Sequence, residues 1–181
     1  MFDSLIETRR SIRKFLKRPV EPEIIEKLVA AALRAPSSHD RSPWELIVVT
    51  DTELLAKLSL AKEKGADFLK GASLGIVVAA DPGKSDVWIE DVSIAATFIL
   101  LAAHDMGLGG CWIQIRERRH NESTTAEAYI CQILKIPQHL KVECIIGLGY
   151  PGEKKAPHRA KLPLEKVRHN AYDQPFTRNA G

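Results

Sequence analysis

Cysteine is scarce in this sequence. The 181 residues hold three, Cys111, Cys131 and Cys144, with no Cys-x-x-Cys pair and no histidine at zinc-ligand spacing. An odd, scattered set argues against a disulfide framework and against a structural zinc site, and a reducing setting is expected. Charge of one sign is lacking too. Lys and Arg number 26 against 23 Asp and Glu, a formal charge of +3, so the chain as a whole is no polyanion binder. Long hydrophobic runs are also missing. The longest apolar stretch, residues 87–103, contains Glu90 and Asp91, and its uncharged part is too short to span a bilayer. The opening residues, Met1 to Glu7, carry no basic flank followed by an apolar signal core. A cytoplasmic protein without membrane contact is expected.

What is present is ordinary globular material, 45% hydrophobic and 27% charged. A chain of this length makes one domain that buries its own core without a disulfide or metal staple. Asp3 or Ser4 can cap a first helix reaching Arg9. Pro22 suits the first turn of a second, in which Ile24, Ile25, Leu28, Val29, Ala32 and Leu33 recur at helical spacing until Pro36 stops it. Residues 45–50 read as a strand, and Asp51 starts a helix with Leu54, Leu55, Leu58 and Leu60. Residues 74–80 form a second strand, and Ser85 or Asp86 opens a long helix to Met106 that Gly107 ends. From Ile94 to Ala103 only Thr97 is polar, so this helix is expected to be buried on most sides. Residues 111–115 and 141–146 read as strands around a helix over 124–134, and periodicity fades after Gly149. The pattern fits an α+β or α/β domain.

Several motifs tempt. Residues 147–152 spell G-x-G-x-x-G after a strand, but Glu153 to Pro157 is no helix to aim at a pyrophosphate. Gly107, Gly109 and Gly110 precede a strand and suit helix termination better than a phosphate cradle. The sharpest anomaly is basic: Arg9, Arg10, Arg13, Lys14, Lys17 and Arg18 cluster near one end, and Lys154, Lys155, His158, Arg159 and Lys161 near the other. Two distant segments could converge on one phosphate, which arginine forks suit. A third basic stretch, Arg116 to His120, fits either a solvated loop or a phosphate contact. Nucleic acid is disfavoured, since Phe15 is the sole ring in the first cluster and no nucleic-acid-binding signature appears. Nucleophile, metalloprotease and P-loop motifs are absent, so any enzyme chemistry here would be carried by a cofactor.

Four segments, in order and correctly spaced, resemble the nitroreductase family of FMN-dependent oxidoreductases. They are Arg9-Arg10-Ser11-Ile12-Arg13-Lys14-Phe15, then Ala35-Pro36-Ser37-Ser38-His39-Asp40-Arg41-Ser42-Pro43-Trp44, then Gly107-Leu108-Gly109-Gly110-Cys111-Trp112, and finally Gly149-Tyr150-Pro151 followed by Arg159-Ala160-Lys161-Leu162-Pro163. The resemblance implies an α+β, three-layer fold with a central, mainly antiparallel sheet flanked by helices. It implies a homodimer, a domain over 1–168, and an irregular tail over 169–181 that could pack on the partner subunit. By the same resemblance, Arg9, Arg10, Ser11 and Arg13 would hold the FMN phosphate and the adjacent ring, with Arg159 and Lys161 completing the phosphate site. Pro36, Ser37, Ser38 and Asp40 would approach from the second subunit, and Gln114 and Ile115 would lie beside flavin N5. Two positions depart from the family pattern: Asp40 stands where Asn is usual and Ser42 where Gln is usual. The implied activity is hydride transfer from NADH or NADPH through N5 to a nitroaromatic, quinone or similar acceptor by a ping-pong mechanism. The alternatives are a flavin-binding or flavin-processing protein of the same fold without that turnover, or a basic nucleic-acid-binding module.

Overall fold

A four-stranded sheet in the order β1-β2-β4-β3 organises the chain. The computed structural model describes residues 2–158 and 162–176. The strands are β1 (Trp44–Val49), β2 (Leu74–Ala80), β3 (Gly109–Gln114) and β4 (Lys141–Gly149), and every pairing between them is antiparallel. The helices are α1 (Phe2–Thr8), α2 (Pro22–Leu33), α3 (Thr52–Leu58), α4 (Trp88–Asp105) and α5 (Ala126–Leu134). Antiparallel pairing resolves the fold class as α+β.

Alternation along the strands divides the core into two layers. Leu74, Ile76 and Val78 of β2, with Ile146 and Leu148 of β4, face α2 and α4. Val77, Ala79, Ile113 and Ile145 face α3 and α5 on the other side. Local chemistry sets the helix ends. The Asp51 carboxylate accepts from Leu54 N–H at 2.8 Å to cap α3, and Thr125 Oγ1 accepts from Ala128 N–H at 3.1 Å to cap α5. Gly107, at φ +77°, lets Leu108 N–H reach back to the Ala103 carbonyl at 2.8 Å and close α4.

Two boundaries differ from the sequence reading. Helix α4 opens at Trp88 rather than at Ser85 or Asp86, because the Ser85 hydroxyl turns inward onto the buried Asp91 at 2.7 Å. Helix α3 stops at Leu58, which leaves Leu60 exposed. Helix α4 is covered on most sides as expected, but one stripe is left bare. Ile94, Thr97 and Phe98 are exposed on one stripe, continuous with Phe2, Leu5 and Leu101 around a shallow apolar groove.

Tyr150 fastens the start of α2 to the end of β4. Its hydroxyl donates to Glu21 at 2.5 Å, while Arg18 pairs with Glu21 at 2.6 Å and lies 3.8 Å over the Tyr150 ring. The Tyr150 hydrogen bond, and then Arg18, hold the Glu21 pKa down to about 2. The folded-state pKa is depressed, so this contribution to stability is present above the ordinary carboxylate pKa near 4.5 and is lost as pH falls towards 2. Tyr150→Phe is expected to return Glu21 towards 4.5, as an NMR titration would read. An unmoved titration would show that the hydroxyl contributes nothing.

Candidate functional site

The basic loop after α1 runs extended beside β3, and its backbone is tied down at every step. Ser11 bridges Gly110 in parallel, and Ile12 N–H donates to the Gly110 carbonyl at 3.1 Å. Further on, Leu16 N–H reaches the Tyr150 carbonyl at 2.9 Å and Gly152 N–H the Lys14 carbonyl at 2.7 Å. The Glu153 carboxylate accepts from the Arg13 and Lys14 amides at 2.6 and 3.2 Å, with Arg13 first among the contacts that lower its pKa. Approach this close requires glycine. A Cβ on Gly109 would stand 2.7 Å from Ile12 Cβ, so the glycines here make room for the loop. Gly109→Val is expected to cost about 1–3 kcal/mol by overpacking and to lift the loop. A thermal melt and amide exchange at Ile12 check this, and an unchanged melt would show that the contact is not limiting.

An extended segment sends alternate side chains to opposite sides. Thr8, Arg10 and Ile12 line one pocket of about 280 Å³, together with His104, Leu108, Lys154 and others. Arg9, Ser11 and Arg13, at the alternate positions, do not line that pocket; Arg13, Ser11, Lys155 and Arg9 all act on the Cys111 thiol, and Arg9 also acts on His104. Burial raises the pKa of that thiol, and Arg13 leads the groups opposing the rise. Arg13 also lies 5.8 Å over the Phe68 ring. Arg10 is engaged elsewhere: its guanidinium donates to the carbonyls of Ala156 and Pro157, and His158 N–H donates to Glu7 at 2.9 Å. Arg10 therefore draws in the segment that leads to Arg159 and Lys161, two expected site residues that lie outside the described residues.

β3 is an edge strand, and its register decides which amides face outward. Ile115 N–H donates inward to the Glu143 carbonyl at 3.0 Å. Antiparallel alternation then turns the N–H of Gln114 away from β4, so of the two expected residues Gln114 carries the outward donor.

A network that the sequence reading missed stabilises this end of β3. Trp112 Nε1 donates to Gln114 Oε1 at 2.9 Å, Gln114 Nε2 donates to Glu143 Oε1 at 2.9 Å, and Arg116 Nε pairs with Glu143 Oε2 at 2.9 Å. Glu143 is only 3% exposed. It sits at a β-bulge, where the β2 pairing passes from Cys144 to Val142 and skips it, a feature that re-aims a side chain.

Pro36, Ser37, Ser38 and Asp40 lie beside β1, the opposite edge of the sheet. Three strand spacings, about 14 Å, separate the two edges, so one chain does not bring this loop to Arg9, Ser11, Arg13 and Gln114. The loop is nonetheless held rigidly. His39, Asp40 and Ser42 have φ of 50°, 57° and 42°, a concentration of left-handed residues that needs support. Ser42 N–H on Ser37 Oγ at 2.9 Å, Ser38 N–H on Asp91 at 2.8 Å and the Arg41–Asp86 pair at 2.8 Å supply it. The Asp40 side chain is left exposed.

Among the described residues no group of three His, Cys, Asp or Glu side chains is placed to hold a metal, and no helix is long and apolar enough to cross a membrane.

The comparisons with known proteins fall on these same segments. The model of the nitroreductase family matches residues 6–65 and 58–150. A relative from Archaeoglobus fulgidus, whose name couples NADH dehydrogenase with NAD(P)H nitroreductase, is 41% identical over 155 residues, covering 83% of this chain and 86% of its own. A solved FMN-dependent nitroreductase from Clostridium difficile superposes with a TM-score of 0.91 at 47% identity, covering 93% of this chain and 98% of its own. The NADPH:FMN oxidoreductase from Vibrio harveyi, solved with NAD+, superposes at 0.80 with 25% identity, covering 96% of this chain and 79% of its own.

Proposed function

The chain belongs to the nitroreductase family and is a flavin-dependent oxidoreductase; from that premise we propose that it works as a homodimer with FMN at each of two interface sites. The observation that carries the reading is the cationic loop docked along the β3 edge, with Arg9, Ser11 and Arg13 at its alternate positions and the outward Gln114 N–H further along. FMN needs a seat for a doubly charged phosphate, cover for an apolar ring and a donor at N5. These residues fit it. Arg9 and Ser11 would hold the phosphate through charge-assisted bonds, with Arg159 and Lys161 completing the seat. Arg13 would present positive charge to the pyrimidine end, where electron density rises on reduction. Gln114 N–H would be the donor offered to N5, an electrostatic aid that needs no rearrangement. Ile115 lies beside it, fully buried. When bound, FMN would supply the redox chemistry, carrying electrons from NADH or NADPH to a nitroaromatic, quinone or similar acceptor in a ping-pong order, with protons drawn from water. No side chain of this chain is required as a nucleophile.

The exposed stripe on α4 and its neighbours on α1 support the dimer, since an apolar face of this kind is stable once a second copy covers it. Dimerisation also brings the rigid 36–42 loop of one protomer to the flavin of the other. The 169–181 tail, with Tyr172 and Phe176 exposed, then packs on the partner subunit. Sedimentation of the FMN-reconstituted protein, expected to give a dimer with two flavins, tests this arrangement; a flavin-loaded monomer would overturn it.

Asp40 stands where the family resemblance implies a neutral Asn. An ionised carboxylate only accepts hydrogen bonds, and it opposes charge gain on the ring. Asp40→Asn is expected to raise the FMN midpoint potential by on the order of 20–40 mV, as read by dye equilibration. An unchanged potential would place the loop away from the ring.

A further inference from the structure

Most of the basic stretch from Arg116 to His120 has a structural role. Arg116 is bound to Glu143 and Glu117, and Arg119 donates to the Glu122 carbonyl at 2.9 Å. His120 Nδ1 lies 2.8 Å from the Leu60 carbonyl, and its ring stacks on Tyr129 at 3.9 Å between centroids. Arg118 differs. It is exposed, and its guanidinium contacts the carbonyl of its neighbour Glu117 at 3.2 Å. Glu117, at φ +57°, makes the turn that sends Arg116 back to Glu143 and Arg118 outward.

Lys62 meets it from another loop. Glu63 N–H donates to the Arg119 carbonyl at 3.3 Å, and together with the His120–Leu60 contact this fastens the 60–65 loop to the 116–120 loop. The Lys62 side chain is half-buried and folds over Gly65, where a Cβ would lie 3.8 Å from its Cε and Nζ. Burial first, and then the Arg118 charge, lower its pKa. Among the described residues neither Lys62 nor Arg118 forms a salt bridge, and the Glu117 carboxylate is taken by Arg116. Two cations held together by the backbone repel each other until an anion sits between them. Arg118 follows Gln114 by only four residues, and the Glu63–Arg119 hydrogen bond carries the Lys62 loop to the same end of β3, so the pair borders the Gln114 end of the candidate site rather than the Arg9 end.

We propose that Lys62 and Arg118 form the seat for a phosphate group of the nicotinamide dinucleotide as it docks over the flavin. This inference rests on the function proposed above. FMN brings one phosphate, already matched at Arg9 and Ser11. The acceptors named are uncharged or nearly so. The dinucleotide is the reactant whose phosphates need further cations, and a paired lysine and arginine suit them.

The test is the Lys62→Gln/Arg118→Gln double variant of the FMN-loaded protein, with Lys62→Arg as the conservative control. FMN affinity, read by flavin fluorescence, is expected to stay within about twofold of wild type. Half-saturation for NADPH in anaerobic flavin reduction is expected to rise about ten- to hundredfold while the limiting rate holds, and NADP+ affinity by calorimetry to fall by the same factor. Lys62→Arg should retain most of the affinity. An equal shift for NADH identifies the pyrophosphate as the occupant, and a shift for NADPH alone identifies the 2′-phosphate; both uphold the seat. Donor half-saturation and NADP+ affinity equal to wild type would overturn it, as would FMN affinity falling by the same factor, or wild-type protein that loads FMN but binds no NADP+. A wild-type chain that takes up no FMN would instead defeat the proposed function.

Discussion

Glu143→Ala should lower the melting temperature by on the order of 10 °C. The side chain is almost wholly buried, accepts from Gln114 and pairs with Arg116, whose own side chain is about one third exposed. Removing one member of a buried ion pair costs roughly 3–5 kcal/mol, because the partner is left buried and uncompensated. Arg116 is partly exposed and keeps Glu117 as a second partner, so the loss falls near the lower end of that range. A chain of this size loses about 2–4 °C per kcal/mol. The damage should be local as well as global, with faster amide exchange at Gln114 and weaker flavin binding. A melt displaced by less than about 2 °C would mean that the network does not support β3.

The second large effect is on cofactor retention. Arg9→Ala should weaken FMN binding about ten- to hundredfold, the loss expected for one charge-assisted bond to phosphate. Arg10→Ala should act differently. Its guanidinium is engaged by the Ala156 and Pro157 carbonyls, so its loss reaches the flavin only by loosening the following segment, and the expected weakening is smaller. Fluorescence titration of the apo-proteins with FMN separates the two. Equal losses would mean that the alternation along the loop does not decide which arginine faces the phosphate.

Much of this was legible in the sequence. Helical spacing in α2, the Asp51 cap of α3 and the Gly107 terminus of α4 are local signals, and local hydrogen bonding fixes what they predict. The apolar run of α4 was legible as a run; the stripe left bare, Ile94 and Phe98, was not, because it depends on where α1 and α2 pack. No helix follows the G-x-G-x-x-G string over 152–158, as expected, yet the purpose of its glycines was invisible. Gly149 and Gly152 make room for Phe15 and Lys14, more than 130 residues away in sequence. Glu143 was the main omission at the site. In Lys141-Val142-Glu143-Cys144 it resembles the polar face of a strand, and only the bulge and the Gln114 and Arg116 pair on the neighbouring strand turn it inward. The one available hint was that pair, two polar residues at i and i+2 where β3 ends. Division of the basic loop into two faces also needed the structure, since composition cannot tell Arg9 from Arg10.

The central claim is that this chain carries FMN and passes electrons through it, and one anaerobic absorbance experiment tests it. The purified or FMN-reconstituted protein should be yellow, lose its flavin absorption on adding NADH or NADPH, and regain it on adding a nitroaromatic or a quinone. A flavin-loaded protein that neither nucleotide bleaches would be a flavin-binding protein without this turnover. A colourless protein that cannot be reconstituted with FMN would contradict the account altogether.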